Sequence, residues 1–408
     1  MKILKYSTIL FLFISCEDIG KGYSWREKIP AGFSRNYGTI GYDYGWNATY
    51  SPFDEGIVIV GKQAPQINGQ SDFWVIKTDS RGLLEWEKIF GGAGNEEGYD
   101  AIATSNGGFL LVGYTWSHGN EQQIYAIKTD LHGNTEWEKT YGGSMWEIGY
   151  AVIEVAGGGY VIAGFSNSPG ISSGNTDMYL VKIDAQGEVV WEKSYGNQGF
   201  PNHEWAYDII QTLDEGYIIV GARDRYASGS INALVLRTDK AGNIIWEKEF
   251  LDENQVSEVI YSISPSTDGA FYLCSSLNSM ASPDIYQPKI IKMDGSGNID
   301  WQRKFNSNSR KYHQFRATVT QLGEIVIVGS SAQQLATGHK EDAFMTKIDS
   351  KGNIIWTYPY GTADHDDWGW SVFETPKRNL VFVGSTKSFS ASLFDIYLVG
   401  TNADGIAQ

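Results

Sequence analysis

Cysteine is nearly missing from this chain. The 408 residues hold two, Cys16 and Cys274, which excludes a disulfide scaffold and leaves no Cys–His pair for nucleophilic catalysis. Proline is scarce, at 10 residues against 47 glycines; that balance suits short strands joined by tight turns and argues against a disordered chain. Basic residues are outnumbered, 32 to 48, giving a formal charge of −16 with no basic cluster. Such a surface repels phosphate backbones, so nucleic acid is excluded as a partner. No phosphate-cradling glycine loop, no nucleophile elbow and no His-x-His spacing appears. Beyond the first residues no stretch shows helical periodicity. Stability must come from packing, and hydrophobic residues at 42% supply enough for a large core. Cys274, inside the apolar run "FYLCSS", reads as a small buried hydrophobe.

A phrase of the form Asp-x-x-Gly-x-x-x-Trp recurs six times. Its Trp falls at Trp86, Trp137, Trp191, Trp246, Trp301 and Trp356, at intervals of 51 to 55 residues. Asp and Gly at this spacing make a tight turn, with Gly at positive φ and Asp accepting from nearby amides. Ahead of each turn lie three short strand-like runs, for example "YDAIATS", "GFLLVG" and "IYAIKTD". The second is apolar on both faces and reads as a central strand covered on two sides. With the Trp run these make four strands, A to D, per unit. Four-stranded units repeated at this length predict a β-propeller.

The N-terminal residues "MKILKYSTILFLFISC" place two lysines before an apolar stretch, Ile9 to Ile14, that is too short to span a bilayer. The run Phe13-Ile14-Ser15-Cys16 resembles the lipobox of bacterial lipoproteins. That resemblance implies a signal peptide over residues 1–15, lipid on Cys16, a tether over 16–24 and a propeller over 25–408. It also implies a protein of the cell envelope, an outer-membrane lipoprotein that is periplasmic or surface-exposed and touches its membrane through the lipid. The blade text "GGYVIAGFSNSPGISSGNTDMYLVKIDAQGEVVWEKSYG" (158–196) resembles the seven-bladed propeller repeat of secreted and lipid-anchored bacterial proteins. The resemblance covers Trp25 to Gln408 and implies an all-β ring of seven four-stranded blades, and a monomer. The seventh turn, "TNADG" (401–405), has no Trp strand after it, and "WREK" at Trp25 has no turn before it. The expectation is therefore that the strand around Trp25 completes the C-terminal blade. The turn phrase also resembles the tryptophan-docking motif of quinoproteins.

Function is expected where the units differ. The A–B and C–D turns are short and lie on one face; the B–C and D–A loops are long, divergent and lie on the other. The repeated Trp reads as a wedge between blades. The repeated Lys and Glu read as cross-strand pairs or a solvated outer face. The D–A loops place carboxylates beside aromatics: Glu97 with Tyr99, Trp146 with Glu147, Glu204 with Trp205, Asp367 with Trp368 and Trp370, and Glu258 in the fifth blade. His203, His313 and His365 come from different blades, which does not suit a metal centre. An acidic, aromatic rim suits a glycan, a cationic peptide or Ca²⁺, with no further cofactor implied. The same acids recur from blade to blade, which favours reading them as turn caps that bond the amides of adjacent blades. The expectation is a non-catalytic binding or protein-interaction module; a polysaccharide hydrolase or lyase using the rim carboxylates and a quinoprotein-like oxidoreductase are the competing readings.

Overall fold

In a computed structural model the chain forms twenty-eight strands in seven sheets of four, with no helix among the described residues. The structure describes residues 33–406 apart from loop stretches at 65–68, 120, 169–174, 197–201, 226–229, 251–256, 280–281, 306–313, 336–337, 363 and 390–392. Blade 1 runs β2 (Tyr44–Tyr50), β3 (Ile57–Gln63), β4 (Asp72–Thr78) and β5 (Leu84–Phe90), each antiparallel to the next. Blades 2 to 6 repeat this with β6–β9 (96–141), β10–β13 (147–195), β14–β17 (202–250), β18–β21 (257–304) and β22–β25 (316–360). Blade 7 is β26 (Asp367–Glu374), β27 (Leu380–Thr386) and β28 (Asp395–Thr401), completed by β1 (Phe33–Tyr37). This is a seven-bladed β-propeller.

The two middle strands of each blade carry the core. "IVIV" of β3 and "FWVI" of β4 are buried throughout because a neighbouring blade covers each face. The core clusters accordingly span blade pairs; one joins Val58 and Val75 of blade 1 to Leu111 and Tyr125 of blade 2. The turns behave as the phrase predicts. Asp79 Oδ1 accepts from the amides of Arg81 (2.8 Å) and Leu83 (2.9 Å), with Gly82 at φ +70°. Asn402 does the same for Asp404 and Ile406 in blade 7.

Ring closure by an N-terminal strand holds, but the strand is not the one around Trp25. Residue 25 lies outside the described residues, and the place expected for its side chain belongs to Phe33. Trp86 stands opposite Lys77 in blade 1, and Phe33 stands opposite Gly400 in blade 7. Trp86 packs against the turn glycine Gly133 of the following blade, and Phe33 packs likewise against Gly82 of blade 1. Any large flat ring fills this wedge, so the seventh copy carries Phe where the other six carry Trp.

The repeated Lys corrects the picture of a solvated face. Lys77 is wholly buried, donates to the carbonyl of Thr78 and pairs with Asp54 (2.8 Å) and Glu85 (2.7 Å). Lys128 is buried in the same way and pairs with Glu136. These cations close the short-turn end of their blades. Two long B–C loops are in fact hairpins: β23 (Ile325–Leu335) and β24 (Gly338–Ile348) stay paired to Leu335 and Gly338. In blade 5, β19 (Phe271–Ser279) pairs with β20 (Ser282–Met293), which contains Pro288.

Candidate functional site

The long-loop face is organised by one local device at the start of six of the seven innermost strands. The backbone slips register there: between Gly45 and Asn47, Gly98 and Asp100, Gly149 and Ala151, Ala206 and Asp208, Ile260 and Ser262, and Gly369 and Ser371. Each slip is a β-bulge, which adds one residue and re-aims its side chain. The added residues are Trp46, Tyr99, Tyr150, Tyr207, Tyr261 and Trp370. Their rings line up around the central channel: Trp46–Tyr99 at 6.0 Å, Tyr99–Tyr150 at 5.0 Å, Tyr150–Tyr207 at 5.1 Å, Tyr207–Tyr261 at 4.9 Å and Trp46–Trp370 at 5.1 Å. Blade 6 breaks the collar, because Phe315 turns into its own blade against Phe344. Sequence reasoning named Tyr99 and Trp370 but missed the collar. Its signal is an acid three residues ahead of an aromatic, as in Asp43/Trp46, Glu96/Tyr99 and Glu147/Tyr150.

The acids of that spacing are fully buried and clamp loops together. Glu147 accepts from Ser166 Oγ (2.6 Å), from Ser168 Oγ, from the Gly143 amide (3.0 Å) and from Gln123 Nε2 (3.0 Å). Asp367 repeats this with Thr386, Ser388 and the Thr362 amide. Glu258 accepts from Ser275 Oγ (2.6 Å) and pairs with Lys289 (2.9 Å). Glu204 meets Arg223 at 2.7 Å, but Arg223 also serves Glu247 and Glu249. Burial therefore pushes the Glu204 carboxyl up to about 7, because one guanidinium shared among three carboxylates does not offset it. In blade 2 the matching acid is Glu96, held by Thr115 and Ser117. Glu97 stands one place on, paired with Lys62 and accepting from Tyr99 OH (3.1 Å).

The predicted aromatics divide. Trp368 and Trp370 are buried, in a cluster with Phe394, Tyr44 and Trp46. Trp146 is exposed at 47% and lies 6.3 Å from the ring of Trp116, also exposed. His203 stacks on Trp205 at 5.9 Å. His313 lies outside the described residues, and His365 contacts Thr362 of its own loop. Among the described residues no three His, Cys, Asp or Glu side chains gather as a metal-binding group.

Trp205 belongs to the cavity that stands out on this face. About 200 Å³ opens between blades 4 and 5, walled by Trp205, Tyr207, Tyr261 and Tyr286, with Ser257, Ser276 and Asn278 among its polar groups. Ser276 Oγ is buried and has no hydrogen-bond partner. Among the described residues, no carboxylate, histidine, lysine or arginine lines the cavity. Burial holds the phenols of Tyr207 and Tyr261 well above their ordinary pKa, so both stay protonated at neutral pH.

Deeper in the channel the next residue of five of the innermost strands laces blade to blade. Ser371 Oγ donates to Asn47 Oδ1 (2.6 Å), Asn47 donates to Asp100, and Asp100 accepts from the Val152 amide of blade 3 (2.8 Å). Asp208 accepts from the Ile263 amide of blade 5 (2.9 Å), and Ser262 Oγ from the Ala317 amide of blade 6 (2.9 Å). Asp100 shows some surface to the channel, but protein surrounds its carboxyl. That burial pushes it up to about 7 despite the Val152 amide and Arg316, with Asp208 adding to the rise. In an unfolded chain the same carboxyl titrates near about 4. Between those values the native state holds the extra proton, so stability falls as pH rises through this window. The melting temperature is expected to drop from pH 5 to pH 8. Asp100→Ser, the residue blades 5 and 7 use here, should flatten that drop in paired thermal melts. An unchanged slope would show that Asp100 titrates normally.

No family model matches the chain, and no curated protein does. Solved structures match it in fold. Polysaccharide lyase Uly1 is 10% identical at TM-score 0.57, covering 94% of this chain and 94% of that one. The PL25 ulvan lyase bound to -[GlcA(1-4)Rha3S]- is 10% identical at TM-score 0.54, covering 90% and 96%. The Pan2 WD40 domain of Neurospora crassa is 12% identical at TM-score 0.51, covering 88% and 95%. At these identities the likeness is one of fold.

Proposed function

We propose that this protein is a lipid-anchored binding module of the bacterial cell envelope that holds a carbohydrate on its long-loop face without cleaving it. The observation that carries this is the cavity between blades 4 and 5. It offers ring faces from Trp205, Tyr207, Tyr261 and Tyr286 for stacking, with Asn278 and the unpartnered Ser276 hydroxyl for sugar hydroxyls. Among the described residues it offers no group poised for acid–base work at neutral pH. The exposed Trp116–Trp146 pair on the same face supplies a second stacking surface. Two fold neighbours are named polysaccharide lyases, so cleavage is the outcome to test against. An elimination needs a base at the bound sugar, and the cavity's phenols are held protonated. Of the rim carboxylates, Glu147 and Asp367 are spent on protein donors, and Glu204 is turned onto Arg223 and is not among the cavity's lining residues.

The anchoring half of the proposal rests on the lipobox-like run ending at Cys16. Cys16→Ser is expected to move the full-length protein into the soluble fraction and to end incorporation of labelled fatty acid; equal membrane retention would sink it. That soluble variant is then titrated calorimetrically against a panel of polysaccharides. Binding with no release of new chain ends is expected. Trp205→Ala should weaken it about tenfold or more, the equivalent of ~1.4 kcal/mol of lost stacking, with an unchanged melting temperature. Released oligosaccharide, or binding indifferent to Trp205→Ala, would overturn the reading.

A further inference from the structure

We propose a second ligand site at the seam between blades 7 and 1, on the short-turn face opposite the carbohydrate cavity, built to take a small hydroxylated carboxylate. The argument starts from what the last blade lacks. In blade 1 the Lys of the turn phrase pairs with Asp54 of the adjoining A–B turn; Arg237, Lys292 and Lys347 pair with Asp214, Asp268 and Glu324 at the equivalent turns. Blade 7 has Gly400 in place of that cation, and its A–B turn carries Lys377 and Arg378 in place of the acid. Both halves of the pair are changed at once: the cation is deleted and the acid becomes basic.

The deletion leaves space. A cavity of about 380 Å³ opens at this seam, with Phe33, Arg35, Tyr50, Lys377, Asn379 and Gly400 in its walls. Among the described residues its charged lining is Arg35, Arg81 and Lys377 against Glu55, a positive site on a chain of formal charge −16. Lys377 is paired with Glu55 and Arg81 with Asp79, which leaves Arg35 as the cation in surplus. Among the described residues its Nη1 donates only to the neighbouring Ser34 carbonyl (3.2 Å), and its buried Nε has no partner. The carbonyl that could have served it, that of Gly82, is held by Tyr37 OH at 2.5 Å. In blade 5 the corresponding Arg303 reaches the corresponding Gly352 carbonyl.

A buried N–H without an acceptor is unfavourable, so this one is poised for an anion. A guanidinium edge matches the two coplanar oxygens of a carboxylate. The flanking Asn379 and Thr375 suit hydroxyl groups, and the rings of Phe33 and Tyr50 suit the apolar face of a small ring. The volume admits a sugar-sized acid.

The test titrates the full-length chain with D-glucuronate, using D-glucose as the neutral control, by calorimetry at low salt. Saturable glucuronate binding is expected, with none for glucose. Arg35→Gln should weaken it tenfold or more, while Trp205→Ala leaves it unchanged, which separates this site from the carbohydrate cavity. Should Arg35→Gln fail to fold, Lys377→Ala combined with Arg81→Ala, both on exposed side chains, should weaken binding several-fold. Absence of glucuronate binding, equal binding of glucose, or an affinity unmoved by these variants would overturn the proposal.

Discussion

Deleting β1, residues 33–37, is expected to abolish the soluble monomer. This strand supplies five paired residues, from Phe33 opposite Gly400 to Tyr37 opposite Ile396. Phe33 covers Gly400 and wedges against Gly82, Tyr37 bonds the Gly82 carbonyl, and Asn36 donates to Asp395 at 2.8 Å. Truncation of one large buried aromatic costs about 3–5 kcal/mol. The deletion adds the loss of the ladder, against a total stability that is typically about 5–15 kcal/mol. It also leaves β28, "DIYLVGT", every residue of which is buried in the closed ring, as a bare edge, which invites pairing with another copy. Size-exclusion chromatography and thermal melts read the result. Phe33→Ala is the milder form and should lower the melting temperature without abolishing folding. A monomeric deletion that melts within a few degrees of the parent would show that the ring does not depend on this strand.

Glu147→Ala is expected to cost about 3 kcal/mol or more. The carboxylate is wholly buried and takes four donors, from Ser166, Ser168, Gly143 and Gln123, which tie the D–A loop to the B–C loop of blade 3. Hydrogen bonds to a charged acceptor contribute about 1.5–3 kcal/mol each, and removing the acceptor strands every donor. Glu147→Gln should recover part of the loss, because its oxygen still accepts while its amide faces donors. Chemical denaturation of the three proteins gives the order. A Glu147→Ala protein as stable as the parent would return this residue to the list of ligand contacts, since a binding group can be removed without loosening the fold.

The architecture was legible because six blades say the same thing in four ways: an apolar middle strand, an Asp-x-x-Gly turn, a Trp strand and a near-constant length. What escaped was written in exceptions. Phe33 closes the ring, yet only its register opposite Gly400 marks it as the copy of Trp86. Lys77 and Lys128 are buried, against the habit of lysine, because carbonyls and acids wait at the blade end. The aromatic collar depends on bulges, and a bulge is a property of pairing that no single strand displays. The hairpin of β23 and β24 carries no apolar alternation past Ser330, so nothing in "SAQQLATGHK" announced strands. Both cavities are defined by side chains from two blades, and the seam cavity by one that is missing.

The closing strand has a consequence for how the protein is made. Asn36 and its partner Asp395 lie 359 positions apart. At ordinary synthesis rates, about 5–20 residues per second, roughly 20–70 s pass between the appearance of the first and the last. Blades 1 to 6 are each complete from their own stretch of chain and can form as they emerge. β1 has no partner in that interval. The earliest of the described strands to be synthesised is the last to find its sheet, so the nascent chain must carry β1 unpaired until the hairpin of β27 and β28 arrives. A pause in translation, or a truncation near the C-terminus, strikes this protein at the one blade that is assembled from both ends.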